Sequence, residues 1–182
     1  MVSEQVRGID SDFYWPVIIV FGGNFLFFFW CQWVRDNSWI DVMWGQTFVT
    51  PILGLILKRY LEGGPTPDLR SWIVLGLVSV WAMRLSIHIA TRHKGEDFRY
   101  QDWRREWMGF GYWGYLWRAL VIVFMLQAFF SLIVNSATLY IEIYSSSQDL
   151  VALDYAGIAL WLFGFLFEWV GDEQLKRHLA DS

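Results

Sequence analysis

Long apolar stretches separated by short polar segments make up most of this chain. A bilayer core of about 30 Å is crossed by roughly 20 mostly apolar helical residues, at about 1.5 Å per residue. Most of the stretches are bordered by Trp or Tyr, which anchor at membrane interfaces. The pattern predicts an all-α protein, a polytopic membrane helix bundle of about five transmembrane helices in one integral membrane domain over residues 1–182. The five expected spans are residues 13–32, 39–57, 72–92, 113–140 and 150–170.

Composition strengthens the membrane interpretation and excludes other classes. Hydrophobic residues make up 55% and aromatic residues 20% of the 182 positions, with 13 Trp. A soluble domain of this length rarely holds so many aromatic residues. The net charge of -4 argues against a nucleic-acid partner. The single cysteine, Cys31, allows no internal disulfide.

The distribution of basic residues predicts the orientation. Five crossings place the termini on opposite sides, and the C-terminal side then has nine Lys and Arg against four on the other. The positive-inside rule puts the N-terminus outside or in the lumen and the C-terminus in the cytosol. The chain is expected to be a multi-pass protein of the endoplasmic reticulum, the bacterial inner membrane or the mitochondrial inner membrane, with the matrix replacing the cytosol in the last case. The nine residues are Arg35, Arg92, Lys94, Arg99, Arg104, Arg105, Arg118, Lys176 and Arg177.

A dense charged block occupies residues 92–107, RHKGEDFRYQDWRREW. It has five basic and four acidic side chains with aromatic residues threaded among them, so it lacks the excess of one sign that phosphate neutralisation needs. Its middle, GEDFRY, is expected to form a cytosolic rim between the third and fourth spans.

Ionisable residues inside the spans converge near the same side. Each costs about 2.5–3.5 kcal/mol or more at a helix centre, so each needs a structural or functional reason. Arg84, His88 and Arg92 recur every four residues, which stacks them on one helix face. Glu168 and Asp172 share a face of the fifth span, and Asp41 begins the second.

Two interpretations of this convergence are open. In the first, Asp41, Glu168 and Asp172 pair with Arg84, Arg92 and Arg118 to hold the helices in register. In the second, a cytosol-facing cavity binds an anionic cofactor above an apolar substrate, with arginines holding phosphates. For the set as a whole we favour the second interpretation. Gln127 and Asn135 are expected to form interhelical hydrogen bonds, and the glycines of residues 108–114, MGFGYWG, a bend.

Four segments resemble the membrane reductases related to steroid 5-alpha reductase, in particular an uncharacterised branch that is widespread in bacteria. They are DVMWG at 41–45, MRLSIHIATRHKGEDFRYQDWR at 83–104, FMLQ at 124–127 and GFLFEWVGDEQLKRH at 164–178. The resemblance implies a helical membrane bundle with an NADPH pocket open to the cytosol, which reduces a carbon–carbon double bond conjugated to a carbonyl in a hydrophobic lipid. For such a reaction, Asp41 at the mouth of the second helix and a nearby tyrosine are the candidate catalytic proton donors. The cofactor would be held by Arg84, His88, Arg92, Glu96, Asp97, Arg99, Tyr100, Glu168 and Asp172.

The chain departs from that family in two places. Glu168 stands where the family has an asparagine four residues before an aspartate, and the sequence ends at Ser182, before an expected Arg-His-Pro-Asn-Tyr segment that supplies much of the cofactor site. The expectation is therefore a reductase-like protein that is incomplete as a stand-alone enzyme. A non-catalytic membrane subunit that packs against other subunits of a larger complex is the alternative. A methyltransferase of the isoprenylcysteine type is a third hypothesis.

Overall fold

Helices make up the chain, as the apolar pattern predicts. The computed structural model describes the backbone of residues 2–145 and 149–180, and the side chains of 12–145 and 149–179. Helix accounts for 85% of the structure, and the described residues form no strand. The predicted all-helical fold class is therefore confirmed. The elements are α1 Val2–Val34, α2 Trp39–Met43, α3 Gln46–Leu61, α4 Leu69–Arg92, α5 Phe98–Met108, α6 Gly111–Arg118, a π-helical segment Ala119–Met125, α7 Leu126–Val134, α8 Ser136–Tyr144 and α9 Ala152–Ala180.

Within the described residues, four helices are long and apolar enough to cross a membrane: Asp12–Val34, Leu69–Arg92, Gly111–Val134 and Ala152–Leu179. They correspond to four of the five expected spans. The other expected span, 39–57, is divided into α2 and α3 at a turn. The 16 residues of α3 extend for about 24 Å, which is shorter than a bilayer core of about 30 Å.

The chain forms two compact units, Met1–Ser145 and Ser146–Ser182. In the first unit α1 packs against α3, the π-helical segment and α7, while α4 packs against α2 and α3. The second unit is built on α9, where Asp154 Oδ2 accepts a hydrogen bond from the Val151 backbone N–H at 2.7 Å. Rings one helical turn apart stack along α9, with the centroids of Trp161 and Phe165 4.9 Å apart.

Close contact between α3 and α4 explains the glycine that ends the DVMWG segment. A Cβ atom added at Gly45 would lie 2.8 Å from the backbone oxygen of Ala82 and 3.2 Å from its Cβ. Because the obstructing atom belongs to the backbone, the helices themselves would have to separate. Gly45 therefore sets the distance between α3 and α4.

Replacing Gly45 with Ala is expected to destabilise the protein by about 1–3 kcal/mol, the usual cost of overpacking a close contact. Gly76 on α4 is the matched control, since a Cβ there meets nothing within 4 Å. Gly76→Ala should be neutral or stabilising by up to about 1 kcal/mol through helix propensity. Thermal unfolding in detergent separates the two variants, and equal midpoints would contradict the close-contact account.

A π-helical segment interrupts the third candidate span immediately before α7. It covers Ala119–Met125. In a π-helix each backbone N–H bonds the carbonyl five residues back instead of four, so the register of the helix changes here. Asn24 on α1 donates from Nδ2 to the Phe124 carbonyl at 2.9 Å, inside the protein. The segment therefore fixes α1 against the start of α7, where Gln127 lies.

The bend predicted in MGFGYWG is also confirmed. The helix α5 ends at Met108 and α6 begins at Gly111, whose φ of +81° lies in the left-handed region that favours glycine. Asn135, predicted to form an interhelical hydrogen bond, donates from Nδ2 to the Phe48 carbonyl at 3.0 Å. It stands between α7 and α8 and connects them to α3.

A buried ion pair lies at the end of the first unit where α3 ends and α4 begins. Arg59 Nη1 is 3.1 Å from Glu142 Oε1, with the two side chains 17% and 2% exposed. Arg59 also donates to the Glu142 backbone carbonyl. The Arg59–Glu142 pair falls outside the spans expected from sequence and connects α3 to α8.

Candidate functional site

Three side chains from different helices meet at the start of α2. Tyr100 of α5 donates from its hydroxyl to Asp41 Oδ1 at 2.7 Å. Gln127 of α7 directs its Nε2 at Asp41 Oδ1 and at the Tyr100 hydroxyl, both at 3.4 Å. We refer to Asp41, Tyr100 and Gln127 as the acid cluster. It combines a carboxylate, a phenol and an amide, which is a donor set suited to holding and transferring a proton.

Burial keeps the phenol of the acid cluster protonated. Tyr100 is only 5% exposed, and its burial, together with the negative charge of Asp41, raises the pKa of the hydroxyl. Both effects disfavour the phenolate. Tyr100 is therefore a neutral proton donor across the ordinary pH range.

Arg99 connects the acid cluster to the start of α5. Its Nη2 lies 3.4 Å from Asp41 Oδ2, and its Nε donates to Asp97 Oδ1 at 2.9 Å. Asp97 caps α5 by accepting the Arg99 backbone N–H at 3.0 Å. These bonds from Arg99 hold the pKa of Asp97 below its usual range. Gly95, with φ at +105°, allows the turn that brings Asp97 to the helix start.

Glu96, in the GEDFRY segment beside the acid cluster, bonds residues from two other parts of the chain. Arg104 donates to Glu96 through Nε at 2.9 Å and through Nη2 at 2.6 Å, a two-point bond. The Asn37 backbone N–H donates to Glu96 Oε1 at 2.9 Å. The Asn37 side chain in turn donates to the Tyr115 hydroxyl at 3.0 Å, and that hydroxyl donates to Gln32 at 2.8 Å. Glu96, predicted to bind cofactor, is thus engaged in holding α5 and α6 to the end of α1.

A histidine–aspartate pair secures the same rim from the α4 side. His93 Nε2 lies 2.9 Å from Asp36 Oδ2, and Ser38 donates from Oγ to Asp36 Oδ1 at 2.5 Å. The Asp97 backbone N–H donates to the same Ser38 oxygen at 3.2 Å. The turn between α1 and α2 therefore positions Asp97, and through Asp97 it positions Arg99.

The predicted stacking along α4 is present. Arg92 Nη1 lies 3.2 Å from His88 Nε2, one helical turn away, and Arg84 is one further turn back on the same face. Glu168 and Asp172 are one turn apart on α9 of the second unit. Asp41 pairs with Arg99 and Tyr100, whereas Arg118, one of its expected partners, lies over the Phe110 ring at 3.8 Å.

Of the predicted site residues, Asp41, Asp97, Arg99 and Tyr100 are brought together. The contribution of Gln127 to this group was missed, although its role as an interhelical hydrogen-bond donor was predicted and is confirmed. Asp36, His93 and Arg104 were also missed. Arg104 bonds Glu96 eight positions away, and Asp36 and His93 pair across 57 positions, so no local spacing indicates them.

Three exposed cations lie within residues 92–99, and one of them, Arg99, contacts the acid cluster. Arg92, Lys94 and Arg99 are exposed at the end of α4 and the start of α5, where guanidinium and ammonium groups suit phosphate oxygens. Asp97, next to Arg99, offers a carboxylate of the kind that accepts hydrogen bonds from ribose hydroxyls. The charge and chemistry of this donor set are compatible with a dinucleotide.

An apolar groove lies along α1 in the first unit. It lies between α1 and α2–α3, with a volume of about 390 Å³, and we call it the α1–α3 groove. Met43, two residues after Asp41, forms part of its wall, as does Asn24, which bonds the Phe124 carbonyl three residues before Gln127. A larger apolar cavity of about 600 Å³ lies between α1, α7 and α8.

Comparison with known proteins places the chain in one family. Residues 27–182 match DUF1295, whose description is a protein of unknown function. The match covers most of the chain, which therefore belongs to the DUF1295 family. No curated protein and no solved structure matches the chain significantly.

Proposed function

We propose that this member of the DUF1295 family is a membrane-embedded reductase, which uses NADPH to saturate a carbon–carbon double bond conjugated to a carbonyl in a lipid. The observation that carries the proposal is the acid cluster, a neutral buried phenol bonded to a carboxylate at 2.7 Å beside exposed cations. The resemblance of four segments to membrane reductases supports the same reaction.

Reduction of an enone requires a hydride at the β-carbon and a proton donor for the charge that develops on the carbonyl oxygen. The nicotinamide supplies the hydride when it is bound. Tyr100 provides the hydrogen bond to the carbonyl oxygen, where a fixed donor in a desolvated site is most effective. Asp41 orients the phenol. When a carbonyl oxygen binds, the Tyr100 hydroxyl turns from Asp41 to that oxygen and protonates it as the hydride adds to the β-carbon. Solvent then supplies a proton to the α-carbon while the enol oxygen returns its proton to Tyr100, which gives the saturated ketone.

Gln127 has a positioning role in this scheme. Its Nε2 lies 3.4 Å from both Asp41 Oδ1 and the Tyr100 oxygen, so it holds the two oxygens in place and keeps a donor on Asp41 when the Tyr100 hydroxyl turns to the substrate. Arg92 and Arg99 are proposed to hold cofactor phosphates, and Asp97 the ribose. Arg84 and His88, on the same face of α4 as Arg92, are proposed to complete the binding set within the first unit, in keeping with the resemblance.

Turnover of model enones by the purified chain in lipid nanodiscs tests this function. NADPH consumption is followed at 340 nm with a long-chain linear enone, a short enone and an enone steroid, and products are identified by mass spectrometry. We expect saturated ketone from the wild type, loss with Asp41→Asn, and full activity with Arg105→Ala, whose exposed side chain pairs with Asp102 on α5.

Absence of product with every enone, from a folded protein that also binds no NADPH, would contradict the reductase. The alternative of a non-catalytic membrane subunit would then be preferred. That alternative predicts that Asp41→Asn alters co-purification with partner subunits.

A further inference from the structure

A guanidinium lies at the beginning of the third candidate span. Arg118 is a half-buried residue of the helical stretch Gly111–Val134, which is long and apolar enough to cross a membrane. Seven helical steps place its Cα about 10.5 Å inside that stretch. Its Cζ nevertheless lies 3.8 Å from the ring centroid of Phe110, the residue that precedes the span. The charge therefore reaches back to the end of the span, as long cationic side chains do at a membrane interface.

Phe110, Gly114 and Arg118 hold this guanidinium together, and we call them the Arg118 seat. Arg118 donates from Nη1 to the Gly114 carbonyl at 3.3 Å. A Cβ atom added at Gly114 would lie 2.9 Å from Phe110 Cβ and 3.4 Å from Arg118 Nη1, so glycine leaves the room in which the ring and the guanidinium meet. A guanidinium has five N–H donors, and the Gly114 carbonyl accepts from only one of its nitrogens.

The counter-charge of Arg118 does not come from the described part of the chain, where Arg118 forms no ion pair. In the preceding charged block, Glu96 pairs with Arg104 and Asp102 with Arg105. A cation at the edge of the hydrocarbon layer is costly without an anion or water. The anions that a bilayer supplies at this depth are the phosphates of its lipids.

The surface around the Arg118 seat is aromatic and exposed. Phe110 is 62% exposed and Trp113 is 80% exposed, and Tyr112 and Trp117 are exposed as well. Trp and Tyr side chains at the end of a span lie at the level of the lipid headgroups. An exposed apolar surface of this kind favours a ligand with hydrocarbon chains over a soluble anion.

We infer that the Arg118 seat binds a phospholipid by its phosphate. The remaining N–H groups of Arg118 donate to two phosphate oxygens, the two-point geometry that a guanidinium fork favours. Phe110 holds the plane of the guanidinium, and the acyl chains lie against the exposed rings of α6. The inference is independent of the proposed reductase function, because lipid binding is measured without turnover.

The first test titrates the purified, delipidated chain with phosphatidylglycerol and counts bound lipids by native mass spectrometry. Diacylglycerol with the same acyl chains lacks the phosphate and should bind at least about tenfold more weakly, the usual effect of losing a hydrogen bond to a charged group. Arg118→Gln should weaken phosphatidylglycerol binding by a similar factor. Arg105→Gln is the matched control, because it removes an exposed arginine that pairs with Asp102, and should leave binding unchanged. Equal affinity for the two lipids, or equal effects of the two variants, would overturn the inference.

The second test changes the shape of the Arg118 seat and keeps its charge. Gly114→Ala should displace Phe110 from the guanidinium and weaken phosphatidylglycerol binding severalfold. Gly76→Ala adds the same methyl group on α4, where a Cβ meets nothing within 4 Å, and should have no effect. Wild-type affinity in Gly114→Ala would mean that charge alone attracts the lipid and would overturn the assignment of a built seat.

Competition on the wild type distinguishes a lipid from a soluble source of phosphate. Neither inorganic phosphate nor NADPH, at millimolar concentration, should displace bound phosphatidylglycerol. Displacement by inorganic phosphate would identify a site for a soluble anion, and displacement by NADPH would make Arg118 part of the cofactor site. Either result would overturn the inference, whereas retention of the lipid would support it.

Discussion

Replacing Tyr100 with Phe is expected to lower kcat for enone reduction by about 10²–10⁴, the usual contribution of a positioned acid. The ring and its packing are retained, so KM should change little. The variant removes only the hydroxyl that donates to Asp41 at 2.7 Å. Steady-state kinetics of NADPH oxidation in nanodiscs measure the effect. Tyr112→Phe is the matched control because Tyr112 is exposed and lies outside the acid cluster.

The pH dependence of the wild type provides a further check on Tyr100. Burial and the Asp41 charge raise the pKa of this hydroxyl, so the native state holds the proton more tightly than the unfolded chain. The corresponding stability is fully present below the ordinary tyrosine pKa of about 10 and is lost as pH rises towards the native value. Unfolding midpoints measured between pH 9 and 11 should therefore fall more in wild type than in Tyr100→Phe. A larger fall in the variant would contradict the assigned direction.

Replacing Arg59 with Ala is expected to destabilise the protein by about 3–5 kcal/mol, because it leaves Glu142 buried without its counter-charge. Burial raises the pKa of Glu142 even with Arg59 present. Without Arg59 the carboxyl should therefore take up a proton, and part of the lost stability should return as pH falls.

The control for Arg59 is Arg105→Ala. Arg105 pairs with Asp102 through side chains that are 78% and 56% exposed, a kind of pair worth less than about 1 kcal/mol. Thermal unfolding in the same detergent compares the two variants. Similar losses of stability in the two variants would contradict the expectation that the buried Arg59–Glu142 pair contributes more than an exposed pair.

Sequence patterning was sufficient for the elements whose reasons are local. Runs of apolar residues predicted the helices, spacing of four predicted the stacking of His88 and Arg92, and the glycines around residue 111 predicted the bend. The division of the second span was not predicted. The turn that divides it contains Gly45, which lies against the backbone of Ala82, 37 positions later. Hydropathy contains no information about such a contact.

The sequence predicted only part of the candidate site, because the rest depends on contacts between residues that are far apart in the chain. Asp41, Asp97, Arg99 and Tyr100 stand out as charged or polar residues beside apolar spans. Their arrangement depends on Gln127, which reaches Asp41 from 86 positions away, and on the Asp36–His93 pair across 57 positions. The π-helical segment before α7 also has no sequence signature that we recognised. Glu96 is a predicted site residue whose role differs in the structure. Its charge suggested ligand binding, but its oxygens accept hydrogen bonds from Arg104 and from the backbone of Asn37.

Titration of the purified, detergent-solubilised chain with NADPH, followed by quenching of tryptophan fluorescence, tests the central claim most directly. Arg99→Ala removes a cation that is proposed to hold phosphate, and Arg105→Ala removes an exposed cation from the same helix outside the site. The reductase account predicts saturable binding in the micromolar range, weakened by Arg99→Ala and unchanged by Arg105→Ala. A folded wild-type protein that shows no saturable quenching up to millimolar NADPH would contradict it.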